Sequence, residues 1–215
     1  MMITLVRHGE TDWNAAGRIQ GHEDIGLNAV GQAQARALSS RLSAEPITEV
    51  FCSDLIRTRQ TVAPLLADRD LPVVYDEQWR ERHFGRLQGM SRDQIKTSEP
   101  EAFELMSRRD PQASFGHGES LKQFYDRCVR ALCHVVKSAE GDHPLVVCHG
   151  GVLDCIYRYV SGQSLVSARQ AGLSNAAINQ LSLEAAVSGG EPRLAIQCWD
   201  DTSHLAKTRD ETDRG

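Results

Sequence analysis

The chain has 215 residues, 40% hydrophobic and 25% charged, which suits one globular domain with a sizeable core. Its formal charge of −5 argues against a general polyanion-binding face such as nucleic-acid binders carry, so any phosphate chemistry has to rest on a local cationic cluster. Six cysteines with no C-x-x-C pair argue against a disulfide framework or thiolate metal site, and no apolar run reaches a membrane span or the core of an export signal, so a reduced, cytoplasmic protein is expected.

Residues 3–6 form an apolar, β-branched run that ends abruptly in Arg7-His8-Gly9-Glu10-Thr11. That pattern predicts a buried strand delivering two polar side chains at its C-terminal end, where open α/β sheets bind ligands. A polar loop follows over residues 12–26, carrying Trp13, Asn14, Arg18, Gln20 and Gly21, with His22-Glu23-Asp24 read as solvated. Residues 27–44 read as a helix capped by Asn28, with Ala33, Ala37, Leu38 and Leu42 on one stripe and Gly31 packing closely against the sheet. Residues 49–53 are a second strand, running directly into a helix capped by Ser53 or Asp54 and bearing Arg57 near its start. Exposed N–H groups at such a helix start favour anions.

Residues 71–75 form a third strand, and residues 76–89 a loop containing Glu81-Arg82-His83-Phe84-Gly85-Arg86-Leu87-Gln88-Gly89. Residues 91–109 are charged and helical, with Arg108-Arg109 read as a surface pair, and residues 110–118 break the pattern. Gly118-Glu119-Ser120 then opens a long amphipathic helix to about residue 137, with Leu121, Phe124, Cys128, Leu132 and Val136 on one side. Residues 144–148 are a nearly continuous apolar run, typical of a strand covered on both faces, and end in His149-Gly150-Gly151 before a helix over residues 152–160. Strands at 177–183 and 193–199 extend the sheet around a hairpin loop at 186–192. Residues 1–205 read as one domain, and the polar 206–215 as a flexible tail.

Arg7-His8-Gly9-Glu10-Thr11-x-Trp13-Asn14, Ser53-Asp54-Leu55-x-Arg57-x-x-x-Thr61, Glu81 to Gly89, Gly118-Glu119-Ser120 and His149 resemble, in order, the motifs of the histidine phosphatase superfamily, also called phosphoglycerate mutase-like. The resemblance spans residues 3 to about 205. It implies an α/β fold of three layers, α/β/α, with a mostly parallel central sheet of about six strands. It also implies the roles of individual residues. Arg7 and Arg57 clamp the phosphate, His8 attacks phosphorus to form a phosphohistidine, Glu81 protonates the leaving alkoxide and then activates water, and His149 donates to a phosphoryl oxygen. Asn14 helps hold the phosphate, while Gln20, Gly21, Arg82, His83 and Gly150 complete the phosphate and substrate pocket.

The chemistry fits those residue types, because phosphoryl transfer spreads charge over equatorial oxygens and is driven by positioned cations and an in-line nucleophile. Such a site uses no metal and no cofactor. A cysteine nucleophile in the H-C-x-x-x-x-x-R manner is disfavoured, since Asp154 stands where the Arg is required. The expected partner is a small phosphorylated substrate, neither nucleic acid nor membrane, with a homodimer left open. Hydrolysis is the favoured activity: the long insertion that family mutases carry before Gly118-Glu119-Ser120 is missing, and Gly151 stands where they have Asn. The mutase-like run at Glu81 to Gly89 keeps a cofactor-dependent phosphoglycerate mutase as the alternative, and a non-catalytic phosphate-binding module is the third reading.

Overall fold

The computed structural model describes residues 1–184 and 193–205. The expected hairpin loop at 186–192 and the tail lie outside the described residues. Six strands form one sheet: β1 (Met2–Arg7), β2 (Glu49–Cys52), β3 (Val73–Tyr75), β4 (Pro144–Cys148), β5 (Ile178–Glu184) and β6 (Arg193–Asp201), in the spatial order β3-β2-β4-β1-β5-β6. β1, β2, β3 and β4 pair in parallel, while β5 runs antiparallel to both β1 and β6. The C-terminal ends of β1, β2 and β4 therefore share one edge with the start of β5, and the candidate residues collect there.

Side-chain alternation along the strands explains the layers. Ile3, Leu5 and Val146 face a core built with α6 (Leu121–Ser138) and α7 (Gly150–Ser161). Val6, Val50 and Val147 face the other core, with α2 (Ala29–Leu42) and α3 (Ile56–Asp68). β4 is buried along its whole length, in keeping with its unbroken apolar run. A third cluster of Leu87, Ile95, Ala102, Ala113 and Phe115 sits apart, formed by the segment between β3 and α6. It includes α4 (Arg92–Ser98) and α5 (Pro100–Ser107). Among the described residues no helix is long and apolar enough to cross a membrane.

Several local expectations are corrected. The loop after β1 contains a short helix, α1 (Asp12–Ala15), which Thr11 caps in a reciprocal pair with Asn14. The single helix expected over residues 91–109 is two, because Pro100 lacks the N–H that a continuous helix needs and instead starts α5. Within α2 the buried face runs through Gln34, Ala35, Leu38 and Leu42, leaving Ala33 exposed, and the half-buried Val136 yields to the fully buried Val135 in α6. Gln34 is tolerated in the core because its side-chain oxygen accepts from the Glu10 N–H at 2.8 Å.

Gly31 packs closely, but against the loop after β1 rather than the sheet. A Cβ there would stand 2.1 Å from the Glu10 carbonyl oxygen. Since that contact is with backbone, Gly31→Ala is expected to destabilise the fold by ~1–3 kcal/mol in urea unfolding. An unchanged midpoint would show that the loop yields freely.

Candidate active site

His8 is the first residue after β1 and His149 the first after β4, so parallel pairing of the two strands brings the rings together. Their centroids lie 5.1 Å apart, and both side chains are buried. The His8 Nδ1–H donates to the Gly9 carbonyl at 2.7 Å; as that oxygen can only accept, the lone pair is left on Nε2. Burial, followed by Arg57 and Arg7, holds His8 well below the usual 6.5. The ring is thus neutral and competent as a nucleophile.

Arg57 occupies the first turn of α3 and is fully buried. Its Nη1 and Nη2 donate to the carbonyls of Glu23 and Gly21, both at 2.8 Å, and Nε donates to His149 Nδ1 at 3.2 Å. Three of the five guanidinium N–H groups are committed and two remain. Burial draws its pKa down to about 10. Arg7, also buried, donates to the Leu173 carbonyl, and a Cβ on Gly150 would stand 3.2 Å from its Nε.

Because Arg57 donates to His149 Nδ1, that nitrogen carries no proton, and Nε2–H donates to Ser53 Oγ at 2.9 Å. His149 therefore has no N–H to offer an oxyanion in this arrangement. It gains one when Nδ1 takes a proton, and Ser53 can then accept from Nε2 or, in the other neutral tautomer, donate to it. Burial, then Arg57 and His8, keep His149 well below 6.5.

Glu81 approaches from the loop after β3. Its Oε2 accepts from the Gly151 N–H at 2.8 Å and its Oε1 from the Arg82 N–H at 2.7 Å. The first is one of the orphan donors of the α7 N-terminus. Gly151 also makes room: a Cβ there would lie 2.1 Å from Glu81 Oε1. The Glu81 carbonyl is held in turn by His22 Nε2 at 2.8 Å and Arg127 Nη2 at 3.1 Å, and Glu119 anchors Arg127 at 2.7 Å.

The remaining expected residues divide. Asn14 accepts from Thr11 N and Oγ1 at 3.1 and 3.0 Å through its side-chain oxygen, which leaves its NH2 for a ligand. Gln20 is buried with its side-chain oxygen unpartnered. Gly21 serves through its carbonyl on Arg57. Arg82 lines a cavity of about 350 Å³ beside Glu81, yet its Nε and Nη2 bind the carbonyls of Glu119 and Ala113, and burial lowers its pKa to about 10. His83 lies outside that cavity, edge-on to His22 with centroids 4.7 Å apart.

Other readings change. The expected caps of α3 fail, because Asp54 pairs with Arg80 at 2.5 Å and Asp24 instead accepts from the Ile56 N–H at 2.6 Å. Glu23 and Asp24 are exposed as expected, but Asp24 also caps α3, and the half-buried His22 holds the Glu81 carbonyl. Of the arginine pair, Arg108 is at the surface, but Arg109 turns inward to Asp154 Oδ2 at 2.7 Å. Asn175 was not foreseen; it donates to the His8 carbonyl at 2.9 Å from just before β5. A polar Ser174-Asn175 pair at the head of a strand antiparallel to β1 is the signal that marks it.

The profile of the histidine phosphatase superfamily (branch 1) matches residues 3–189. The chain belongs to that family. Among its curated relatives, phosphoglycerate mutase-like protein 4 of Arabidopsis thaliana is 38% identical, covering 96% of this chain and 87% of the relative. A metal-independent phosphoserine phosphatase of the same plant is 39% identical over 95% and 83%. The solved structure of Bacillus stearothermophilus YhfR superposes with a TM-score of 0.84 at 27% identity, covering 94% of this chain and 98% of that one. The chain shares the α/β fold of these relatives, and their names divide between phosphatase and mutase.

Two predictions concern the site. Gly151→Ala is expected to lower kcat by about 10²-fold, since Glu81 must move by the order of an ångström. Wild-type kcat in that variant would remove the steric argument. Secondly, His8 and His149 bind fewer protons folded than unfolded, so each withdraws stability as pH falls from 6.5, by at most ~1.4 kcal/mol per unit. Urea midpoints between pH 6.5 and 5 should therefore fall less steeply in a His8→Asn/His149→Asn double variant; an equal slope contradicts the assignment.

Proposed function

We propose that this histidine phosphatase hydrolyses a small phosphomonoester, without a metal, through a phosphohistidine on His8. A phosphate dianion meets two guanidiniums and the Asn14 NH2, which offset the charge of the equatorial oxygens. His8 Nε2 attacks phosphorus as the P–O bond to the leaving group breaks, and Glu81 gives that oxygen its proton. Water then attacks the phosphohistidine, Glu81 takes the proton back, and inorganic phosphate leaves with His8 neutral again. Six unpaired thiols suit a reducing compartment, and cytoplasmic location is part of this reading.

The observation that carries hydrolysis over mutase activity is that Glu81, bound to the Gly151 N–H two residues after His149, lines a cavity of about 350 Å³. That space gives water a route to the carboxylate. A mutase has to retain its phosphoryl group, and Arg109, the residue best suited to mimic a mutase's carboxylate clamp, is already bound to Asp154 and to the Leu165 carbonyl. The phosphoserine phosphatase among the relatives supports the same choice.

In EDTA, the protein is expected to release phosphate from at least one small monoester, and His8→Ala to lose ~10³-fold or more of that rate. A phosphoryl adduct on the His8 peptide should be trapped by rapid acid-free quench and mass spectrometry. Isomerisation of 3-phosphoglycerate without net phosphate release would establish the mutase instead.

A further inference from the structure

The cavity beside Glu81 is large for a three-carbon leaving group such as the name of the phosphoserine phosphatase relative suggests. At about 350 Å³ it holds roughly ten waters at ~30 Å³ each and falls in the range of sites that enclose drug-sized ligands. A three-carbon acid would leave most of it filled with water. Its wall is apolar, formed by Phe84, Phe103, Leu105, Met106 and Phe115 together with Ile95.

Its charge is opposite to that of the chain. Arg18, Arg82, Arg92, Arg109 and Arg169 line it against Glu81, Asp110 and Asp154, a local excess of two positive charges (five minus three) on a protein of net −5. Arg82 and Arg109 are spent on internal partners, and Arg18 donates to the Gly89 carbonyl. Arg92 is different: it lies over the Phe103 ring at 5.2 Å, and among the described residues no carboxylate pairs with it. Arg169 stands 3.5 Å from Asp154 Oδ1, a loose contact, with its side chain 53% exposed. Asp154 is also held by Arg109 and Arg158 at 2.7 and 3.0 Å, so it cannot neutralise a third cation.

Building on the phosphatase reading, we infer that the substrate's leaving group is an apolar, ring-sized body carrying a second anionic group, which Arg92 and Arg169 receive. The ring packs on the Phe103 side of the cavity, and the anion completes the charge there. Both arginines act on selection and have no part in the chemistry at His8.

The test uses primary alkyl phosphates of matched leaving-group basicity: n-propyl phosphate, 3-phenylpropyl phosphate, 3-(4-carboxyphenyl)propyl phosphate and O-phosphoserine. kcat/KM should rise at least ~10-fold from propyl to phenylpropyl, and again by ~5-fold or more with the carboxylate. In the Arg92→Gln/Arg169→Gln double variant, checked for native melting, the second ratio should fall to about one through KM. Equal kcat/KM for propyl and phenylpropyl, a carboxylate effect that survives the double variant, or phosphoserine as the best of the four would overturn the inference. His8-dependent turnover of propyl phosphate would leave the phosphatase reading standing in each case. Turnover of none of them removes both.

Discussion

The site rests on two guanidiniums held in a buried space at the C-terminal edge of the parallel strands. Arg57 is fully enclosed, Arg7 nearly so, and two imidazoles lie against them. Carbonyl oxygens of Gly21, Glu23 and Leu173 satisfy part of the guanidinium donors but supply only dipoles. Burying a cation is costly, and desolvation draws the Arg57 pKa down to about 10 even with Glu81 and Asp24 acting on it. Burial, with Arg57 and Arg7 beside it, keeps His8 unprotonated, so the cationic pocket and the neutral ring come from one arrangement.

Everything else at this edge fixes geometry. Glu81 is pinned by two backbone N–H groups through its carboxylate and by His22 and Arg127 through its carbonyl. Gly151 supplies one N–H and the space for the carboxylate. Asn175 and Ala176 tie the His8 and Arg7 carbonyls to the start of β5. Glu81 is thus carried by a loop yet fixed at both its carboxylate and its carbonyl.

β1, β2 and β4 were readable because each is a short apolar run ending in polar residues, and the candidate side chains were readable because they stand at or just past those ends. Arg7, His8, Arg57 and His149 follow from that rule and from the motifs they complete. What escaped lies in contacts between distant segments. Asp24 caps α3 from another loop, Gln34 enters the core to satisfy Glu10, and Arg109 turns inward to an aspartate 45 residues away. Helical periodicity contains no term for such partners, so Ala33 was placed inside and Arg109 outside. Ser53 was read as a cap and not as the partner of His149, and Asn175 went unread because the Ser174-Asn175 pair gains meaning only once β5 is placed beside β1.

β5 reverses direction beside β1, and this shapes how the protein comes into being. Asn175 reaches the His8 carbonyl across 167 residues, and Arg57 reaches His149 across 92. Such separations make long-range contacts slow to form. On the ribosome, where synthesis runs from the N-terminus, His8 is made almost first and receives its neighbours almost last. A nascent chain holding the first four strands still lacks Asn175 to fix His8.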